Sequence, residues 1–315
     1  MSAPSALDRN HHDVTHAMTI DILMPFYGDP GQFRAAVGSV LAQSDGRWRL
    51  TIVDDAYPDP APGSWAATIE DERVGFLRNP VNLGINGAFN RCVTLVEHDH
   101  FVIMGCDDLL TADYVRQMHQ AIHDHPRASY LQPAVSIIGD DGERLLPLAD
   151  RVKDWSRPHP KVSVELGGEK LTASLLRGNW TYFPSICWRT ADVQPRGFDP
   201  KYSIVLDLAL QLELLMSGAT MALLPGETFR YRRHESSVSE EAAKYGSRFA
   251  EERELFLEVA PRLHDMGWTK AAKAAEFHVT SRLNALTKLP ASLLHDYRPG
   301  TNELVRHVFT NRPAR

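Results

Sequence analysis

Apolar and polar positions along this chain alternate between two periods, and the switch points mark its elements. Residues 19–25 (Thr-Ile-Asp-Ile-Leu-Met-Pro) form an apolar, β-branched run stopped by proline, which predicts a strand. Turn chemistry follows in Phe26-Tyr27-Gly28-Asp29-Pro30-Gly31. Phe33, Ala36, Val37, Val40 and Leu41 then fall at helical spacing over 32–42. The same reading predicts strands over 49–53, 74–78 and 101–106, a Pro- and Gly-rich loop over 57–63, and helices over 88–97 and 112–123. Strand and helix in alternation predict an α/β fold with a mostly parallel sheet.

Farther along, 130–138 reads as a strand closed by the turn Asp140-Asp141-Gly142. Residues 148–168 lack clear periodicity and read as a long loop carrying Trp155, a length often found in functional lids. A short helix over 171–176, a strand over 185–188, a helix over 206–217 and strands over 220–224 and 228–232 follow. From residue 240 the pattern is helical, over 247–263 and 268–286, with weak patterning past Pro299.

Composition adds limits. At 315 residues, 43% hydrophobic and 23% charged, the chain reads as globular, with a net charge of −6 that argues against nucleic acid as the main partner. Cys92, Cys106 and Cys187 are odd in number and far apart, which predicts reduced thiols, a cytoplasmic setting, and neither a disulfide framework nor a zinc site. No run is apolar enough for a transmembrane segment, and residues 1–17 read as a polar, disordered tail.

The candidate chemistry sits at strand ends. Asp54-Asp55 closes one apolar run and Asp107-Asp108 another. Adjacent carboxylates raise each other's pKa and demand a cation, a donor or water. Ligands of open α/β sheets bind beyond the carboxyl ends of the strands. Such a pair can hold Mn²⁺ or Mg²⁺ against a diphosphate, since hard cations take oxygen ligands; a plain helix cap is the competing explanation. Asn82-Leu83-Gly84-Ile85-Asn86-Gly87 lies just before a helix, where glycine admits a ligand and the helix end attracts anions. Asp207 interrupts an apolar run and is a candidate general base, or else an acid favoured by a helix start. In Arg230-Tyr231-Arg232-Arg233-His234, alternation would put Arg230, Arg232 and His234 on one face, to bind phosphate or to solvate a strand edge.

Taken in order, Met24-Pro25-Phe26-Tyr27, Val53-Asp54-Asp55-Ala56, Asn82-Leu83-Gly84, Cys106-Asp107-Asp108, Asn179 to Arg189, Asp207 and Tyr231-Arg232-Arg233-His234 resemble the inverting family 2 glycosyltransferases. The resemblance covers roughly residues 19–239 and implies a GT-A fold, with a Rossmann-like, mostly parallel central sheet flanked by helices and a C-terminal helical extension. It implies a nucleotide-sugar half over 18–140, an acceptor half over 141–239 and a helical region over 240–315.

The implied activity moves a sugar from a nucleoside-diphosphate sugar (UDP, dTDP or GDP) to a hydroxyl-bearing acceptor, a glycan, a lipid-linked sugar or a small molecule, with Mn²⁺ or Mg²⁺. Pro25, Phe26 and Tyr27 would border the base, and Asp54 and Asp55 would accept from base or ribose. Asn82 and Gly84 would shape the pocket, and Asp107 would face ribose or phosphate. Asp108 and His234 would meet the metal, Asp207 would be the base, and Trp180 and Tyr182 would contact the acceptor.

Two positions depart from the family: Leu206 stands where it usually carries Glu, and Gly105 where its stronger metal motif has an acid. The first keeps open a non-catalytic, nucleotide-sugar-binding or partner-activating role. A nucleotidyltransferase is disfavoured, because no Lys or Arg follows the first strand before Arg34. The C-terminal helices are expected to pack on the catalytic domain, with a homodimer contact or a peripheral membrane contact as the alternatives.

Overall fold

The structure, a computed structural model, describes residues 19–233, 247–294 and 298–309. Strand β1 (Ile20–Phe26) lies between β2 (Trp48–Asp54) and β4 (His100–Ile103), and β3 (Val74–Arg78) flanks β2, all four parallel. The short β9 (Cys187–Arg189) runs antiparallel to both β4 and β6 (Tyr130–Ile138). It thereby returns β6, and β10 (Thr220–Arg232) parallel to it, to the direction of the first four strands. Two-residue β5 (Leu109–Leu110) and β7 (Arg144–Leu145), with β8 (Val164–Gly167), complete one ten-stranded sheet.

Alternation along β1 shows how the sheet divides the core. Ile20, Ile22, Met24 and Phe26 face one cluster with Phe33, Val37 and Val40 of α1 (Pro30–Leu41) and Val115 and Met118 of α4 (Tyr114–Asp124). Leu23 faces the other, shared with Cys92 and Val93 of α3 (Gly84–Thr94), Leu175 of α6 (Gly168–Arg177) and Leu212 of α8 (Leu206–Met216). The apolar stripe of α9 (Ser247–Asp265), with Leu255, Phe256, Val259 and Leu263, enters this second cluster, as do Ala271, Ala272 and Ala275 of α10 (Thr269–Phe277). The expected α/β architecture, with helices on both faces and at the C-terminal end, is therefore the one formed.

Several local expectations are corrected. The stretch 148–168 is not a loop: it forms α5 (Leu148–Ser156) and β8. Leu148, Val152 and Trp155 of α5 are spaced for a helix but face solvent, so no buried stripe marks it. The proline-rich 57–63 loop holds α2 (Ala61–Ala66). The two strands expected over 220–232 are one, with its register shifted near Pro225 and Gly226. Residues 268–286 divide at His278, whose backbone turns left-handed at φ 29°, into α10 and α11 (Val279–Leu294). The weakly patterned tail includes α12 (Arg298–Phe309). A four-residue helix, α7 (Thr190–Val193), follows β9. The tail expected over 1–17 lies outside the described residues.

Candidate functional site

The register of the parallel strands brings the acidic pairs to one edge. Phe26 stands opposite Asp54, and the Asp55 amide donates to the Phe26 carbonyl at 3.0 Å. Leu23 stands opposite Ile103, so residues 104–108 leave β4 beside the turn after β1. A Cβ on Gly28 would lie only 3.2 Å from the Cys106 sulfur.

The first pair splits into two roles. Asp54 is fully buried, accepting from the Tyr57 amide at 2.8 Å and from Arg78 at 2.6 Å. Asp55 accepts from Asn79 at 2.8 Å and from the Leu83 amide at 3.0 Å, which ties the end of β2 to the segment leading into α3. Asn82 accepts from the Gly84 amide at 2.9 Å, and Gly84 takes φ 68°, a left-handed conformation suited to glycine. Both Asn82 and Gly84 are exposed. Tyr27 is also exposed and meets Tyr57 edge-on at 5.5 Å, while Pro25 is half-buried. Phe26, expected at the base, is completely buried and stacked on Phe33 at 4.1 Å, so it stands behind that surface as core.

The second pair closes around Gly105. A Cβ there would sit 2.6 Å from Asp108 Oδ2 and 2.8 Å from Asp107 Oδ1, so a side chain where the resembled family has an acid would require these two carboxylates to turn aside. Asp108 Oδ1 accepts from the Arg232 amide at 2.8 Å. Burial, and then the neighbouring Asp107, push the Asp108 carboxyl well above the usual carboxylate range. Arg232 is buried rather than turned to phosphate, and its guanidinium donates to the carbonyls of Asp107, Gly139 and Asp140. Arg230 is exposed, and β10 lies between β6 and β5 rather than at a sheet edge. His234 lies outside the described residues. Among those described, no group of three or more His, Cys, Asp or Glu converges as a metal shell.

Arg233, the next residue, reaches the opposite wall. It donates to Asp150 of α5 at 2.5 Å, and Asp150 also accepts from the Tyr182 hydroxyl at 2.9 Å. Lys153, one turn along α5, sits 4.6 Å over the Tyr182 ring, and burial pulls its ammonium down to about 8. A cavity of about 360 Å³ opens here, with Trp180, Tyr182, Asp150, Arg157 and Pro225 in its wall. Trp180 is itself buried, its indole donating to Ser174 at 3.1 Å.

Asp207 occupies the first turn of α8, half-buried, and accepts from Asn179 at 3.2 Å. Burial raises its carboxyl above the ordinary value; the Leu208 amide, Asn179, Lys153 and Arg248 oppose that rise. Asn179 is locked in turn by Thr181, whose amide and hydroxyl both donate to its oxygen, at 3.2 and 2.5 Å. Leu206 is buried in the core, facing away from any acidic role.

Sequence reasoning missed Asn79, Asp150 and Lys153. Asn79 follows a strand without any motif, and the other two lie in the stretch whose helix shows no buried stripe. Asn179 and Arg233 stood inside segments singled out for other neighbours, and Arg232 was expected to face phosphate instead of the backbone carbonyls it holds.

Comparison with known proteins adds a family. The model of glycosyl transferase family 2 matches residues 21–187, just over half of the chain. The chain is 31% identical over 108 residues to the succinoglycan biosynthesis protein ExoW of Rhizobium meliloti, covering 33% of this chain and 34% of that one. It is 29% identical over 143 residues to protein y4gI of Sinorhizobium fredii, covering 44% of this chain and 15% of that one. The chain thus matches about a third or less of the length of these curated relatives. In structure it is similar to residues 1–349 of S. aureus TarS in complex with UDP-GlcNAc, at a TM-score of 0.65, 13% identity, and coverage of 92% of this chain and 81% of that one. The same TarS fragment with UDP matches at a TM-score of 0.55 and 13% identity, over 91% of each chain. At such identities the likeness is one of fold.

Proposed function

The chain belongs to glycosyl transferase family 2, and from that premise we propose that it is an inverting enzyme moving a sugar from a nucleoside-diphosphate sugar to a hydroxyl-bearing acceptor. In this reading residues 18–140 take the nucleotide and 141–239 the acceptor. The observation that carries it is Asp207, a half-buried carboxyl at a helix start, raised in pKa by burial and oriented by Asn179. A base so tuned accepts a proton more readily than a free carboxylate, and Lys153 nearby tempers the rise. It would take the proton of an acceptor hydroxyl brought to it from the side of Lys153 and Tyr182.

At the other wall, Asp55 would accept from base or ribose, and Tyr27 and Tyr57 would offer aromatic surface to the base. Asp54, held by Arg78, keeps the turn in shape. The donor set at Asp107 and Asp108 fits a hard cation: two carboxylates folded about one glycine, one of them pushed up by burial and by its neighbour, a combination that a cation would relieve. Asp107 and Asp108 would hold Mn²⁺ or Mg²⁺, which would supply Lewis-acid stabilisation of the departing diphosphate. UDP is the first nucleotide to try, since the TarS neighbours were captured with UDP-GlcNAc and UDP.

The test is a thermal-shift panel of UDP, dTDP and GDP with and without Mn²⁺, followed by sugar-transfer assays on whatever donor binds. One nucleotide should raise the Tm only with metal, and Asp108→Ala should remove that shift. Asp207→Asn should keep the shift and lose transfer. Metal-dependent binding without turnover on any acceptor would assign the chain to a non-catalytic, donor-binding role. No shift from any nucleotide would sink both readings.

A further inference from the structure

The C-terminal helices carry a surface that sugar transfer leaves unused. From residue 269 to the end, the chain holds eight Lys or Arg against three Asp or Glu, although the whole chain is net −6. The basic charge is therefore concentrated in this last stretch of sequence, and the rest of the chain is correspondingly acidic.

That charge meets exposed apolar surface at one place. Where α10 and α11 meet the end of α6, a crevice of about 420 Å³ is lined by Arg177, Lys270 and Lys273 together with Phe277, Val279 and Thr280. Phe277 is 55% exposed and Val279 58%. Leu283 and Leu286 continue from Val279 at four- and seven-residue spacing along α11, 57% and 47% exposed, so the helix turns a whole apolar stripe to solvent. On α12, Val305 and Phe309 are exposed as well, the latter by 71%.

The junction is built rather than frayed. His278 holds a left-handed backbone at φ 29°, which costs a non-glycine residue free energy, and its ring is buried. Arg282 donates to its Nε2 at 3.1 Å, which leaves Nδ1 to donate to the Ala275 carbonyl at 2.9 Å. This sharp turn is what sets the lysines of α10 against the apolar stripe of α11.

We propose that this face docks the protein on an anionic lipid bilayer. Headgroup phosphates would lie among Arg177, Lys270 and Lys273, and Phe277, Val279, Leu283 and Leu286 would enter the boundary between headgroups and chains. Basic residues beside a solvent-facing apolar helix are the signature of an interfacial helix, and the two contributions reinforce each other at an anionic surface. A second copy fits less well, because a two-fold contact through this face would set like charges against each other. An acidic peptide would satisfy the cations but leave the length of the stripe uncovered.

The inference stands apart from the donor chemistry, and so does its test. The full chain is sedimented with neutral phosphatidylcholine vesicles and with vesicles holding about 30% phosphatidylglycerol, at low and high salt. Binding is expected only to the anionic vesicles and should weaken with salt. Lys270→Glu with Lys273→Glu should lower it about tenfold or more, and Leu283→Ser with Leu286→Ser should also lower it. All four positions are exposed, so the variants should keep the wild-type Tm. Wild-type chain that stays in the supernatant overturns the proposal, as does binding that none of the variants weakens. A dimer in sizing experiments that Leu283→Ser disperses, with no vesicle binding, would overturn it in favour of a second copy.

Discussion

Burial around Asp207 opposes the charge that its proposed role requires. Because its folded pKa lies above the ordinary value, the folded chain keeps a proton that the unfolded chain releases in the window between them. Stability therefore falls as pH rises through that window, and is fully present below the unfolded value. A neutral side chain escapes this penalty, so Asp207→Asn should hold or raise the Tm at neutral pH. The same change should cut transfer by about 10²–10⁴-fold, the usual contribution of a positioned base. In the wild type the acid limb of kcat/KM against pH should lie above the range of a free carboxylate; transfer undiminished in the variant would remove Asp207 from the reaction. Asp54 contrasts with it, since an arginine and a backbone amide already satisfy that buried carboxylate. In the sequence the two acids of Asp54-Asp55 look alike; folding buries both and gives each different partners, Arg78 and the Tyr57 amide for the first, Asn79 and the Leu83 amide for the second.

At the scale of elements, α3 is fastened to the approach of α8 by two asparagines. Asn86 donates to the Asp199 and Tyr202 carbonyls at 2.8 and 2.7 Å, and Asn90 both donates to and accepts from the backbone of Phe198, at 2.9 and 2.8 Å. The helix that opens beside Asp55 thus also sets the start of the helix carrying Asp207. Asn90→Ala should cost about 1–3 kcal/mol by leaving that backbone unpaired. It should also lower kcat more than it weakens nucleotide binding, as a comparison of turnover with thermal shift would reveal. An equal loss in both would mean that the strut supports only the fold. Elements that bury a stripe or an alternating face were legible in the sequence: β3 and β6 match their expected bounds, and β1, β2, α1 and α8 come within a residue or two. Elements without such a face were not. α5 turns its apolar residues to water, β5 and β7 are two residues long, and Pro225-Gly226 divided on paper a strand that continues in space. The wall of the cavity beside Tyr182 depends on α5, which is why Asp150 and Lys153 stayed hidden.

In the whole molecule, α9 and α10 are part of the main core, while α11 and α12 pack on Phe249 of α9 in a smaller cluster through Ala285 and Leu304. Leu255, Phe256, Val259 and Leu263 of α9 share one apolar cluster with α6 and α8. Cutting the chain before Ser247 would strip that cover from the helix bearing Asp207. Such a truncation should aggregate or elute as a non-native species in size-exclusion chromatography; a monomer with the full chain's melting behaviour would mean the first 246 residues are self-sufficient. The sheet is joined in a comparable way, with its two parallel blocks connected, among the described residues, through three-residue β9 alone. That arrangement has a consequence in time. On the ribosome, β4 is complete at Ile103, but the strand that covers its open edge begins at Cys187. At about 5–20 residues per second the nascent chain carries that uncapped edge for on the order of ten seconds. Throughout that interval the unpaired backbone of β4 is a template for any passing strand, so the stretch of translation between these two strands is when the newborn protein most needs a chaperone.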